Sequence, residues 1–346
     1  MSRTVTALVS APGGFAGRLD AFEVPTLDWY HVEPVNDALE HLLGVPTHVL
    51  RLISAEGGDR PCGGFVTYHV EALGEPGRAQ FHAAEEPEQD AEHRMPWARR
   101  GGPSELVAWA DTQVGRTGPA VQVRTWGMSV VHRLPTADGP VWLKAVPPFF
   151  SDEGAVIEMV ADVDLTLVPK LIASAPQRVL LGDEPGGNCW DVTPEDVERI
   201  VPRWVAVQHA LAGEPRIRST AVPMPGFGLP DTLTHGDFHP GNWHRTGAII
   251  DWADAVWGHP ALDACRIIEF TRPEIHDHVR RVWSEAWLAL RPDSRPLEAL
   301  DVARAASHLH NAVKAQQFLD NVEQSERIYH TGYPEAELRA VRRPAR

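Results

Sequence analysis

The chain has 346 residues, 43% of them hydrophobic and 23% charged, and carries a formal net charge of −15. That charge works against nucleic acid as a partner, since releasing counterions from phosphate requires a basic patch. No apolar run approaches the length of a membrane span, so no membrane association is expected.

The start of the chain, one arginine and a short apolar patch broken at Pro12, is too weak for a secretory signal. Cys62, Cys189 and Cys265 are odd in number and far apart, which argues against a disulfide framework or zinc knuckle. The compartment expected is a reducing cytoplasm.

Three segments are expected: residues 1–90, 91–183 and 184–346. In the first, an α+β unit, Val5–Ser10 and Phe65–Val70 alternate like strands, and Pro34–Gly44 carries the start and stop signals of a short helix. The run from Gly13 through Glu23 to Gly44-Val45 faintly resembles a Nudix-type domain. His41 and Leu42 stand where the metal-binding acids of that domain would lie, so the resemblance implies lost hydrolase chemistry. Residues 72–103 have a linker composition, and Gly102 to about Val114 reads as an amphipathic helix. Val121–Trp126, Val130–Leu134 and Val141–Val146 follow as strands, with a turn at Thr136–Gly139. A helix is expected near Glu153–Asp162 and a strand at Arg178–Leu181. Thr193-Pro194-Glu195-Asp196 then opens the first of three long helices, at 194–212, 262–290 and 297–323. Strands first and helices after predict an α+β fold with a small β-rich lobe and a larger helical one.

The chemistry concentrates in His235-Gly236-Asp237-Phe238-His239-Pro240-Gly241-Asn242 and Ile249-Ile250-Asp251-Trp252. Asp237 precedes Asn242 by five residues, the interval between catalytic Asp and metal-binding Asn in the protein-kinase catalytic loop. Asp251 follows an apolar run, as a magnesium-binding acid does in such enzymes. In this reading Asp237 takes the proton of an alcohol, and Asn242 and Asp251 offer oxygen ligands to a hard cation. Lys144, one of only three lysines, ends a strand from which an ammonium can reach nucleotide phosphates. Glu153, ahead of Glu158, is the favoured partner for it. The loop Trp126-Gly127-Met128-Ser129 lacks a glycine-rich pattern, yet Gly127 permits close approach and Ser129 offers a hydroxyl to phosphate.

His235-Gly236-Asp237-x-His239-x-Gly241-Asn242 with Ile250-Asp251-Trp252, continued by Gly258, Pro260 and Asp263, resembles the aminoglycoside phosphotransferase and choline kinase-like family. The resemblance spans about residues 100–330. It implies a bilobal protein-kinase-like fold, here with an added N-terminal α+β domain. It also implies ATP or GTP with Mg²⁺, and γ-phosphoryl transfer to a small-molecule hydroxyl. By matching position Asp237 is the catalytic base, Asn242 and Asp251 are metal ligands, Lys144 binds phosphate and Glu153 supports it. Asp263 is expected to brace the backbone. For the acceptor, Asp254 and Trp257 stand closest to the expected site. The stripe His310, Lys314, Gln317 and Asn321 reads more readily as a solvated face than as a pocket wall.

The acceptor expected is an antibiotic or similar polyhydroxylated natural product, with a sugar, amino alcohol or nucleoside as the alternative. Two rival readings compete. His235, His239 and His244 suggest a zinc hydrolase, opposed by the Pro240-Gly241 break between them. A pseudokinase binding module is opposed by the complete Lys, Asp, Asn, Asp set.

Overall fold

The computed structural model describes residues 2–58, 61–77 and 79–342. It divides into two compact units, one of residues 1–147 with 318–331 and the other of 148–317 with 332–346.

In the first unit β1 (Arg3–Ala11), β2 (Gly14–Arg18), β3 (Phe22–Val24), β4 (Thr47–Glu56) and β5 (Phe65–Ala72) form one sheet of order β2-β1-β5-β4, with β3 also on β1. β1 and β5 run parallel, pairing Val5 with Val66 and Val9 with Val70, while the other pairs are antiparallel. Helix α1 (Glu33–Leu43) buries Val35, Leu39 and Leu43, which lie one turn apart on a single face. It stops at Gly44, whose φ of +73° suits a residue without a side chain, and the Gly44 N–H donates to the Glu40 carbonyl. After α2 (Gly102–Asp111), strands β6 (Val121–Trp126), β7 (Ser129–Thr136) and β8 (Gly139–Ala145) make an antiparallel meander.

The Gln122 side-chain amide of β6 reads the Val49 backbone like a strand neighbour, donating to its carbonyl and accepting its N–H, each at 2.9 Å. The buried Glu326 carboxylate accepts the N–H groups of Leu52 and Gly127, also at 2.9 Å. These bonds join what the sequence divides near residue 90. The reason is chemical. A buried backbone group must find a partner, and here side chains far away in sequence supply it.

In the second unit, α3 (Glu153–Ala161) is capped by the Asp152 carboxylate. β9 (Leu171–Ala175) and β10 (Arg178–Gly182) pair antiparallel, and α4 (Pro194–Leu211) opens on a Thr193/Asp196 capping box. β11 (Thr232–Thr234) pairs with β12 (Val256–Gly258). Helices α5 (Ala261–Glu269), α6 (His276–Leu290), α7 (Pro296–Asn321) and α8 (Tyr333–Val341) follow. The single helix expected over 262–290 is two, because Pro273 interrupts the backbone ladder between them. The core of this unit is rich in indoles: Trp204, Trp243, Trp252, Trp257, Trp283 and Trp287 are all fully buried. No helix among the described residues is long and apolar enough to cross a membrane.

Candidate active site

The two-stranded ribbon of β11 and β12 delivers the residues singled out by the sequence. Leaving β11, the chain passes through Gly236 at φ +78°, where a Cβ would lie 2.2 Å from the Asp254 carbonyl oxygen. Only glycine fits this crossing, and it turns the next side chain, Asp237, away from the ribbon. Asp263 of α5 holds the bend. One carboxylate oxygen accepts the His235 N–H, the Trp204 indole N–H and a Gln208 amide hydrogen; the other accepts the Gly236 N–H. Burial pushes the Asp263 carboxyl up to about 6 even against those four donors. Its bracing part is met in full.

The loop then folds back onto the Asp251 segment. The Asn242 side-chain amide donates to the Asp237 carbonyl at 3.0 Å, which orients its oxygen the other way. The Asn242 carbonyl accepts the Ile250 N–H at 2.9 Å, and Trp243 bridges Ile249. Asp251 itself sits at φ +68°, an unusual conformation for a residue with a side chain and a form of strain that clusters at functional sites. Glu153 is buried, and its Oε1 accepts the Trp252 N–H at 3.0 Å, next to Asp251. Hydrogen bonds thus run from Asp237 through Asn242 to Ile250, beside Asp251, and Glu153 of α3 joins at Trp252. Amide and carboxylate oxygens from Asn242 and Asp251 are the donor set a hard divalent cation takes.

Asp237 lies among cations. Its Oδ1 is 2.6 Å from an Arg266 nitrogen, and its Oδ2 is 3.3 Å from His239 Nε2. Burial would raise the Asp237 carboxyl, but the His239 hydrogen bond, Lys314 and Arg266 together hold it well below the usual carboxylate range. Asp254 is different: burial raises it, with Asp237 and Asp251 adding to the rise and Lys314 opposing it. Lys314 Nζ is 3.3 Å from Asp254 and donates to the Gly236 carbonyl at 3.1 Å.

Several expected placements need correction. The His310, Lys314 and Gln317 stripe is no solvated face. His310 pairs with Thr220, Lys314 with the Gly236 carbonyl, and Gln317 with Arg218 and the Phe149 carbonyl. Trp257 is 2% exposed and donates its indole N–H to the Gly213 carbonyl, so it offers no surface to an acceptor. In the first unit, the Gly127 N–H is taken by Glu326, and a Cβ there would press on Val322 and Glu326. The Ser129 hydroxyl accepts the Trp126 indole N–H at 2.9 Å. Both groups expected to face phosphate have protein partners instead. Lys144 stands half-buried near the end of β8, paired in register with Val131. The three histidines of the zinc reading turn to separate partners: His235 to the Ile250 carbonyl, His239 to Asp237 and His244 to the Glu184 carbonyl.

Arg266 is the residue that sequence reasoning missed. It follows Asp263 by three positions, so one face of α5 carries both the brace of the loop and the cation that meets Asp237. Trp190 and Phe270, which flank His239, gave no sequence signal at all.

Residues 190–300 match the sequence model of a phosphotransferase enzyme family (APH). This segment is similar to that family. The match begins at Trp190 and includes the whole Asp237–Asp251 strip. Among solved structures the chain is similar to choline kinase LicA from Streptococcus pneumoniae, at 10% identity and a TM-score of 0.53, covering 69% of this chain and 98% of that one. It is also similar to macrolide 2'-phosphotransferase MphH from Brachybacterium faecium, at 16% identity, 70% and 99% coverage and a TM-score of 0.47. A choline/ethanolamine kinase family protein from Mesorhizobium loti matches at 14% identity, 69% and 96% coverage and a TM-score of 0.47. No curated protein matches the chain. The likeness to LicA shows a protein-kinase-like α+β fold.

Proposed function

We propose that this protein moves the γ-phosphoryl group of ATP or GTP, with Mg²⁺, to a hydroxyl of a small polyhydroxylated natural product of the antibiotic type. The observation that carries the reading is the Asp237–Asn242–Asp251 strip, in which the Asn242 amide is oriented by Asp237 and its carbonyl is tied to the residue before Asp251. Asp237, ionised because of its cationic neighbours, orients the acceptor hydroxyl and takes its proton as the bond to phosphorus forms. The Asn242 amide oxygen and the Asp251 carboxylate would hold the cation, which would offset charge on the nucleotide phosphates. Lys144 is assigned to the phosphates, and Glu153 accepts the Trp252 N–H beside Asp251.

Transfer of labelled phosphate from ATP and GTP across antibiotic and metabolite libraries tests the proposal. Asp237→Asn should lower kcat by about two to four orders of magnitude, the scale of a general base, while nucleotide affinity stays near that of the parent. Unchanged turnover in that variant would remove Asp237 from the reaction.

A further inference from the structure

An aromatic surface stands against the catalytic base. His239 stacks at 22° on both Trp190 and Phe270, with centroids 5.0 and 4.6 Å away, and those two rings are 6.2 Å apart. The three rings thus form a small cup rather than a linear stack. Trp190 is 54% exposed and Phe270 is 37% exposed, in a unit that buries nearly all its other indoles. The indole lies flat on the loop because residue 241 is glycine: a Cβ there would come within 2.3 Å of the Trp190 ring. The cup is wired to the chemistry, since its central ring, His239, reaches Asp237 through Nε2.

Its rim alternates in charge. Arg266 links Asp237 and Glu269, with a nitrogen 2.6 Å from each carboxylate. The same guanidinium lies 4.4 Å from the Phe270 centroid, so the cation–π position on that ring is already filled from within the protein. At the rim the Arg266 guanidinium thus stands between two carboxylates, so the rim offers hydrogen-bond donors and acceptors in turn.

We propose that the Trp190–His239–Phe270 cup is the acceptor platform, and that it takes an uncharged sugar ring. The apolar face of the ring lies on Trp190 and Phe270, and its hydroxyl edge meets Asp237, Arg266 and Glu269. A saturated ring with an apolar face and a hydroxyl-bearing rim matches both halves of the surface. A quaternary ammonium finds the Phe270 face already taken by Arg266. This inference rests on the phosphotransfer reading for the identity of the base, but the binding it describes stands without nucleotide.

The experiment is saturation-transfer NMR on the full chain with a panel of neutral hexosides, including methyl β-D-glucopyranoside and cellobiose, against choline and kanamycin. Hexoside ring protons should take up saturation in the parent and lose it at least tenfold in Trp190→Ala, with partial recovery in Trp190→Phe. Phe270→Leu should reduce the signal as well. In turnover, Trp190→Ala should raise the KM for a hexoside at least tenfold and leave the Kd for Mg-nucleotide within twofold. The proposal falls if no hexoside takes up saturation, if Trp190→Ala leaves the signal intact, or if choline or kanamycin binds in preference. Nucleotide calorimetry on the same samples judges the phosphotransfer reading separately: hexoside binding with no Mg-nucleotide binding would refute that reading and leave the platform standing.

Discussion

His132 gives the sharpest prediction about stability. It lies in the middle strand of the β6–β8 meander, fully buried, and neither of its ring nitrogens has a hydrogen-bond partner among the described residues. Its nearest ring is His48, 5.8 Å away and perpendicular, which is also buried. Burial pushes His132 down to about 3 and His48 to about 4, so both are neutral in the folded state at every working pH. For a base whose folded pKa is depressed, the unfolded chain binds the extra proton. Stability is therefore complete above the unfolded value near 6.5 and is lost as pH falls toward the folded value. At about pH 5 the loss from His132 alone amounts to about 2 kcal/mol. Replacing His132 with Leu removes that term and also two unsatisfied buried nitrogens, a gain of about 1–3 kcal/mol at neutral pH before any loss from imperfect packing. Hydrogen exchange of peptides from Val121–Ala145 reads the change locally, and urea unfolding reads it globally. His132→Leu should exchange more slowly than the parent at neutral pH, with the gap widening on acidification. A His132→Leu protein less stable at neutral pH, or with the parent's acid dependence, would refute the argument.

The sequence made some of this legible and hid the rest for physical reasons. Strands with strong local signals were read well: β6 is Val121–Trp126 as expected, and α4 starts at the Thr193 cap. β4 was not seen. Six of its first residues are buried in succession and include Arg51, so it shows neither alternation nor a purely apolar run. The Asp237–Asp251 strip was legible because its chemistry depends on short intervals within one ribbon. The surroundings of Asp237 are not, since Arg266, Lys314 and Trp190 arrive from three separate parts of the chain. Lys314 shows the difficulty best. Its helix has polar and apolar residues on every side, so periodicity assigns no inner face, and only packing turns it toward Gly236 and Asp254. Gly127 failed differently, because a glycine permits close approach by anything, and here Glu326 and Val322 are what approach.

Two further outcomes follow from the candidate site. Asp251→Ala should abolish Mg²⁺-dependent nucleotide binding by calorimetry, since it removes the only anionic member of the proposed ligand pair; affinity within twofold of the parent would contradict the metal role. Asp263→Ala should be costly for structure first and activity second. It strips the partner from four buried donors, the His235 and Gly236 N–H groups, the Trp204 indole and the Gln208 amide. Each orphaned donor costs about 1–3 kcal/mol, but water entering the vacated space recovers part, and the burial that raises the carboxyl to about 6 marks a charge whose removal is favourable. The balance is a loss of about 3 kcal/mol, read as a lower urea midpoint at unchanged m-value. Asp263→Asn keeps one acceptor oxygen, and turning it toward the three-donor side leaves only the Gly236 N–H unmet. Its loss should be about 1 kcal/mol, clearly smaller than that of the alanine variant. In the folded fraction both variants should lower kcat more than they alter nucleotide affinity, because the Gly236 bend that aims Asp237 loses its anchor. Equal stability of the alanine variant and the parent would show that the loop is held by something other than Asp263.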